Sequence, residues 1–366
     1  MERLRRTSSL MLQPSTLAEL TEALRSAPRV LAVGARTKPR LSQVGDDVTL
    51  LSMRALTGIV EYEPDEFTFT ALAGTPVREI AAALAERGQY LPFDPLLLDA
   101  GATLGGTVAA GLSGPGRFRY GGVRDFILAV RFVDGAGRLL RMGGKVVKNA
   151  AGFDVPKFLV GSLGRFGVLA EMTFKVFPRP ASALTLKLTL DDIDAAARVL
   201  TEAANTRWEP DALDLLPDGQ SVLLRLAAPE PALAALSREI LARWPGEALP
   251  DEAAAAAWND IREFHWAHQD GALVKVPMTA AQVPALHRAM CVSDGVRVHV
   301  SAGGDVAFVS SRNGPALDGK LRDLGLRGVM LRGAGPLWCG VRSQTQIARA
   351  VKDALDPTGR FPSLDD

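Results

Sequence analysis

Little in this chain suits it to hold metal or to bind by bulk charge. Its 366 residues include two cysteines, Cys291 and Cys339, and four histidines, none before His265. Two cysteines at that spacing build no disulfide framework, zinc site or iron–sulfur cluster. Charge of one sign is missing too: 42 basic residues stand against 41 acidic ones. No chain-wide field draws a polyanion, so nucleic acid and an anionic membrane surface are poor default partners. Long hydrophobic runs are absent. The longest uncharged stretch, residues 100–116, is dense in glycine and contains Pro115, which rules out a transmembrane segment there. After Met1-Glu2-Arg3-Leu4-Arg5-Arg6 the apolar run is only Leu10-Met11-Leu12, too short for a secretory signal. The expected location is the cytoplasm, or the periphery of a membrane through partner subunits. With 47% hydrophobic and 23% charged residues the composition is that of a globular protein, and the length suits two domains.

What is present has a readable order. Thr16 and Glu19 predict a capped helix start. Val30-Leu31-Ala32-Val33 reads as a buried strand ending at Gly34. Strand patterns recur at 48–53, 58–61 and 67–70, and Thr75-Pro76 opens a helix that closes before Gly88. Residues 126–133 and 138–142 flank Asp134-Gly135-Ala136-Gly137 as a hairpin, 168–176 is a strand, and Pro178-Arg179-Pro180 marks a boundary. Beyond it strands and helices alternate. Strands are expected at 184–190, 212–216, 221–226, 272–276, 296–300, 305–310 and 328–332. Helices are expected at 191–205, 230–243, 252–267, 280–291 and 314–324. The last six elements spell β-α-β-β-α-β, and the earlier set spells the same order without its final strand. The fold class is therefore α+β, with an antiparallel sheet covered by helices in the second part, built from two ferredoxin-like half-repeats.

The strongest feature is the glycine tract at 99–116, Asp99-Ala100-Gly101-Ala102-Thr103-Leu104-Gly105-Gly106-Thr107-Val108-Ala109-Ala110-Gly111-Leu112-Ser113-Gly114-Pro115-Gly116. Glycines bring backbone N–H groups close to a ligand and turn them into concave anion sites, with Thr and Ser hydroxyls as further donors. A pyrophosphate suits such a cradle; a tightly packed turn region without ligand is the alternative. A Rossmann fingerprint and a Walker lysine are both missing.

Five motifs then follow in order: Gly34-Ala35-Arg36-Thr37-Lys38; the tract itself; Val123-Arg124-Asp125-Phe126; Lys148-Asn149-Ala150-Ala151-Gly152-Phe153-Asp154; and Gly161-Ser162-Leu163-Gly164-Arg165-Phe166-Gly167-Val168-Leu169. Together they resemble the FAD-binding domain of the PCMH-type (vanillyl-alcohol-oxidase) flavoproteins. Within that family they are nearest to the smaller FAD-binding subunits of bacterial glycolate oxidases (glycolate dehydrogenases). The likeness is dense over 30–180 and returns at 351–361. It implies a two-part PCMH-type FAD-binding domain over 1–179, a cap or substrate domain over 180–345, and a C-terminal segment, 346–366, returning to the first domain. Gly34, Ala35, Arg36, Thr37 and Lys38 would form the first pyrophosphate loop. Gly101, Ala102, Thr103, Gly105, Gly106, Thr107, Gly111, Ser113 and Gly114 would cradle the remainder and approach the flavin. Lys148 and Asp154 would lie near the isoalloxazine or form an ion pair, and Gly167 and Val168 would offer backbone to the nucleotide half. Covalent attachment in this family uses His or Cys, and neither occurs early enough, so FAD would be held non-covalently. Two departures stand out. Arg36 occupies a place where relatives carry a small residue, so it either crowds the pyrophosphate, with strain if φ is positive, or gives it a guanidinium. Pro362-Ser363-Leu364 replaces the usual Asn-Pro-Gly-Arg ending.

Oxidising a small 2-hydroxy acid at a flavin needs a cation for the carboxylate, a base for the hydroxyl proton, and C2 against flavin N5. The candidates are Arg262 and His265, expected to share a helix face with Trp258 and Trp266, and Lys275 and His299 on predicted cap strands. For His299 the alternative is a packed strand histidine. His268 and His287 are expected to face solvent. The metal-binding histidine pair of larger relatives is missing, so no metal is expected. Two readings remain. In one, the chain is the FAD-binding subunit of a glycolate oxidase-type complex. It oxidises glycolate to glyoxylate by hydride transfer to N5 and passes electrons to an iron–sulfur partner, beside a larger FAD-binding paralogue. In the other, it is a structural or assembly subunit whose FAD site has weakened or been lost. A stand-alone FAD enzyme is a third possibility.

Overall fold

The computed structural model describes residues 11–145, 153–291, 295–342 and 346–365. Helix α1 (Leu17–Ser26) starts at Thr16, whose Oγ1 accepts the Glu19 N–H, and it buries Leu20 and Leu24. The Glu19 carboxylate, however, accepts from the N–H and hydroxyl of Ser15 rather than closing a box on Thr16. Strands β1 (Val30–Val33) and β2 (Thr49–Ser52) pair in parallel. Strands β3 (Ile59–Glu63) and β4 (Thr68–Leu72), helix α2 (Val77–Ala85) and the short β5 (Gln89–Tyr90) follow. The glycine tract is not loop throughout. Thr103 caps a helix, α3 (Leu104–Ala110), by accepting the Gly106 N–H, and Gly111 ends it in the left-handed region, where glycine is unstrained. Next come α4 (Arg117–Tyr120), the hairpin β6 (Ile127–Val133) and β7 (Leu139–Gly143), α5 (Val155–Leu159), β8 (Val168–Lys175) and β9 (Phe177–Pro178).

Strands β3-β4-β8-β6-β7 form one antiparallel sheet. Its buried face carries Phe69, Phe132 and Phe174, which join Phe93 and Phe126 in the core. Burying each ring contributes roughly 2–3 kcal/mol. Lys145, just past β7, pairs with Glu61 at 2.7 Å and Glu63 at 2.5 Å on β3. This side chain therefore links the end of one edge strand to the other edge strand.

The second part begins with β10 (Ala183–Thr189), α6 (Ile193–Ala204), β11 (Ala212–Leu215), β12 (Ser221–Ala227), α7 (Glu230–Arg243) and β13 (Gly246–Ala248). The first half-repeat thus does have a final strand. Its three residues are all exposed and carry no apolar alternation, which is why the sequence pattern misses it. Helix α8 (Asp251–Glu263) leads to β14 (Ala272–Pro277), α9 (Val283–Cys291), β15 (Val296–Ser301), β16 (Val306–Ser311), α10 (Pro315–Asp323), β17 (Arg327–Arg332) and β18 (Trp338–Gly340). All nine strands join in one antiparallel sheet, ordered β13-β10-β12-β11-β15-β16-β14-β17-β18. Strand pairing joins the halves only between β11 and β15, through a single register pair, Leu215 with Val300.

The two faces of that sheet have different neighbours. Val274, Val298, Val300 and Val309 pack under Leu200, Leu286 and Leu321 of α6, α9 and α10, the expected helical cover. Opposite them, Leu273, Phe308 and Leu331 pack on Leu96 and Leu97, just before the glycine tract, and on Ala102 and Leu112 within it. Helix α8 also lies on this face, with Trp258 and Ile261 against Leu223. The glycine tract is therefore sandwiched between two sheets. Helix α11 (Gln346–Leu355) precedes a return to the first part. There the Val30 N–H donates to Arg360 O and the Gly135 N–H to Leu355 O, both at 2.8 Å, and Phe361 is buried in the first core. Among the described residues no helix is long and apolar enough to cross a membrane.

Candidate functional site

The loop leaving β1 opens the site. Residues 34–38 line a narrow cavity of about 60 Å³ together with Thr103, Gly106 and Gly164. A second space of about 40 Å³ adjoins it, lined by Met53, Ala73, Ser162, Gly167 and Leu169 among others. A side chain on Gly34 would land on Thr103 Oγ1, the atom that caps α3, so glycine is required where β1 meets α3. Arg36 has φ 57°, the left-handed region, which costs a non-glycine residue about 1 kcal/mol. Lys38 is buried and its Nζ donates to Thr37 Oγ1 at 3.0 Å. Burial lowers its pKa to about 8, and no carboxylate pairs with it among the described residues. Ser162 Oγ on the second space, and Thr107 Oγ1 within α3, are buried without a hydrogen-bond partner. Such orphaned groups are rare in folded proteins and point to an acceptor or donor supplied from outside the chain.

The predicted glycines divide into two kinds. A Cβ on Gly105 would sit 2.9 Å from Ala73 Cβ and 3.0 Å from Ala73 O, and one on Gly114 would enter the Asp94 carbonyl. These two serve close backbone packing. A Cβ on Gly106 meets only Thr103 Oγ1, at 3.0 Å, and Gly106 lines the cavity. Gly101 turns the chain at φ 83° just before Ala102, whose carbonyl accepts from Val77. Ser113 Oγ accepts the Val123 N–H, and Gly167 packs on Phe132 with Val168 in β8 paired to Val133. The cap holds the entrance to this tract: the buried Glu263 carboxylate accepts the N–H groups of Asp99 and Ala100 at 3.0 and 3.2 Å. Asp154 is exposed, caps α5 and pairs with Lys157 at 3.1 Å. Lys148 lies outside the described residues.

Beyond α3 the narrow slot continues, past the shared residues Ala110 and Leu163, into a chamber of about 590 Å³ between the two parts. Its cap wall follows from strand register. His299 faces Phe308, Phe308 faces Lys275, Lys275 faces Val329, and Val329 faces Trp338, so these five side chains share one side of the sheet. Lys275 reaches across the interface and donates to Gly111 O at 2.7 Å. Burial first, then the nearby Arg117, lower its pKa to about 8. Arg117, Arg124 and Lys157 line the chamber from the opposite side, and Trp338 Nε1 is buried there without a partner.

Of the four catalytic candidates only Lys275 lines this chamber. His299 is on the right face but sealed. It is fully buried, its Nε2 pairs with Asp214 Oδ2 at 2.9 Å, and the Trp266 ring lies 5.5 Å away. The expected face of Arg262, His265 and Trp266 does not form. Helix α8 ends at Glu263 because Phe264 turns left-handed, φ 57°, and no glycine announces that stop in the sequence. His265 consequently points to solvent while Trp266 folds inward, and the Arg262 carbonyl accepts from Leu97. His268 is also not solvent-facing: it is buried, with Nε2 2.7 Å from Gly295 O. His287 is half-buried. Sequence reasoning overlooks Ser162, Arg117, Arg124, Lys157 and Trp338. Ser162 and Arg124 sit inside quoted motifs, whereas Arg117, Lys157 and Trp338 carry no local signal.

Comparison with known proteins decides the family. A family model described as "FAD binding domain" matches residues 8–143. Glycolate oxidase subunit GlcE of Escherichia coli (strain K12) is 38% identical over 248 residues, covering 68% of this chain and 67% of that protein. The chain belongs to the PCMH-type FAD-binding flavoproteins. As a member of this family it is an FAD-dependent oxidoreductase. Glycolate oxidase subunit GlcD of Bacillus subtilis (strain 168) is 29% identical over 46% of this chain and 35% of its own length. D-lactate dehydrogenase of Anaerostipes hadrus is 26% identical over the same shares. The matched segment thus spans about a third of these longer flavoproteins. Among solved structures, an alkyldihydroxyacetonephosphate synthase superposes with a TM-score of 0.70 at 16% identity, over 95% of this chain and 76% of that one, a likeness of fold. The residues present fit the cofactor class: the glycine-only approach of β1 to α3, the buried Lys38 and the orphaned Ser162 hydroxyl lie along the slot and the space adjoining it.

Proposed function

We propose that this chain is the FAD-binding subunit of a glycolate oxidase-type complex, acting on a small 2-hydroxy acid and delivering electrons to an iron–sulfur partner subunit. Residues 1–179 would be its FAD-binding domain, 180–345 its cap, and 346–366 the segment that completes the first domain. The observation that carries this reading is the adjacency of the 34–38 slot, the space beside it lined by the unpartnered Ser162, and a cation-lined chamber that shares Ala110 and Leu163 with the slot. The name of the GlcE relative supports the complex and the substrate class. Residues 34–38, Gly106, Thr107, Ser162 and Gly164 would hold the pyrophosphate and nucleotide. The cofactor, when bound, supplies the two-electron acceptor. Arg117 and Lys275 would hold the substrate carboxylate and orient C2, because both line the chamber and Lys275 bridges its two walls. Cys291 is exposed and Cys339 buried, too few thiolates to ligate a cluster, so electrons would leave to a partner. Flavin content tests the reading: denaturing the purified protein should release FAD at near one per chain, and anaerobic glycolate with the partner subunits present should bleach it.

A second reading, an assembly subunit with a weakened FAD site, draws support from the left-handed Arg36 in the first loop. Protein that is colourless and stays so with added FAD would favour it.

Lys38 yields a pH prediction. Its folded pKa of about 8 lies below the ordinary 10.5, and a phosphate beside it favours the ammonium form. FAD affinity is then full below about pH 8 and falls above it, since binding must restore the proton. Titrations followed by flavin fluorescence should weaken by up to about tenfold between roughly pH 7 and 9.5, and Lys38→Met should bind more weakly with a flat profile. A pH-independent wild-type Kd would remove Lys38 from the site.

A further inference from the structure

Helix α4 is too short to hold its own direction. A single turn is unstable without tertiary contacts, so whatever fixes Arg117–Tyr120 also aims their side chains. Arg117 lines the chamber and forms no ion pair among the described residues. The other three side chains are taken up by the cap. The Phe118 ring covers Gly303, where an added Cβ would lie 2.5 Å from it. Arg119 pairs with Glu209 at 2.8 Å, and the Tyr120 hydroxyl donates to Asp211 Oδ1 at 3.0 Å. The start of the helix is held as well. The Gly116 N–H donates to Asp94 Oδ2 at 2.9 Å, the same oxygen that receives the Arg225 guanidinium of β12 at 2.7 Å. Gly116 can be nothing larger, since a Cβ there would run into the Pro92 carbonyl.

These contacts are unequal. The Arg119–Glu209 pair is exposed and contributes little, as surface pairs do. Asp211 is buried, burial raises its pKa, and among the described residues Tyr120 is the one hydrogen-bond donor to its carboxylate. Asp94 is buried in the left-handed region, φ 47°, strained for most residues but tolerated by short polar side chains. The grip therefore lies with two carboxylates. Asp94 holds the start of α4 and reaches the cap through Arg225; Asp211 belongs to the cap and holds the end.

We propose that Asp94 and Asp211 are positioning residues for Arg117. Through Gly116 and Tyr120 they lock α4 between the two parts, so that the guanidinium meets the substrate carboxylate only when the cap is seated. The proposal rests on the assignment of Arg117 to that carboxylate above. A guanidinium binds a carboxylate through directed, planar hydrogen bonds, which is why small errors of aim weaken it.

A double-mutant cycle separates aiming from general support of the fold. Methoxyacetate, which is glycolate with its hydroxyl blocked, offers the carboxylate without turning over. Calorimetric titration of the full-length protein should show Arg117→Met binding it about tenfold more weakly, the scale of one charge-assisted contact. Tyr120→Phe keeps the ring that packs on Phe177, and Asp94→Asn keeps an acceptor oxygen for Gly116. Each should weaken binding by roughly threefold to fivefold alone, and by less than about 1.5-fold in the Arg117→Met background. Equal losses in both backgrounds mark general support and overturn the proposal, as does no loss in either. If Arg117→Met binds like wild type, or wild type does not bind, the carboxylate assignment fails and takes the proposal with it. Flavin content of the same preparations judges the FAD reading separately: colourless protein that still shows the coupling keeps the positioning roles and loses the flavin.

Discussion

Replacing Asp214 with alanine should cost the fold roughly 3–5 kcal/mol, seen as a lower urea midpoint for unfolding. The carboxylate is fully buried. It takes His299 Nε2 at 2.9 Å, the Ser301 hydroxyl at 2.9 Å and the Ala302 N–H at 3.1 Å. Removing it strands three buried polar groups, each worth about 1–3 kcal/mol when unsatisfied. The position magnifies the loss. Asp214 is on β11 and its partners are on or just after β15, so this cluster spans the one seam of the nine-stranded sheet where backbone pairing shrinks to Leu215 and Val300. Asp214→Asn keeps one acceptor oxygen and should cost less than half as much. The folded fraction of either variant should carry wild-type flavin. A variant that folds normally yet loses substrate turnover would show that His299 belongs to the chemistry after all.

Gly106→Leu should leave the fold nearly intact and reduce FAD affinity by more than about tenfold, the penalty for overfilling a fitted cavity. Gly105→Leu should behave oppositely, destabilising the protein whether or not flavin is present. The two glycines are adjacent in α3, yet a side chain on Gly105 must displace the Ala73 backbone, whereas one on Gly106 meets only the Thr103 hydroxyl and enters the slot. Thermal melts with and without added FAD, beside flavin stoichiometry, separate the two effects. Equal flavin binding by wild type and Gly106→Leu would mean that the slot is packing space.

The elements were legible in the sequence wherever apolar periodicity ran for six or more residues, as in β6, β8, β10 and α6. They were illegible where structure depends on something distant. Strand β13 exists because β10 offers an open edge at Leu186, Lys187 and Leu188, and its own residues are polar or small. The left-handed turn at Phe264 has no local cause that a pattern scan detects; its ring is buried against Phe308 and Trp266, so tertiary packing sets it. For the same reason the shared helix face of Arg262 and His265 does not form, while Lys275 and His299, in segments with clean alternation, lie on the strands expected for them. The slot was readable from its glycines and hydroxyls. The chamber was not, because its four cations come from α4, the segment before β6, α5 and β14 and meet only in three dimensions.

The return of residues 355–361 has a bearing on biosynthesis. Arg360 donates from Nε to Gly135 O at 2.8 Å and from Nη1 to Leu24 O at 2.5 Å, and Lys352 bonds Asp356 at 2.6 Å and Arg165 O at 2.6 Å. The N-terminal half is thus stitched shut by residues translated after the entire cap. On the ribosome the cap's half-repeats can pair with close sequence neighbours and finish early, while the earlier-made half waits with β1 and α1 unsecured. Nascent chains stalled before residue 350 should accordingly hold a protease-resistant cap on a protease-sensitive N-terminal half, reversing the usual order in which domains leave the ribosome folded.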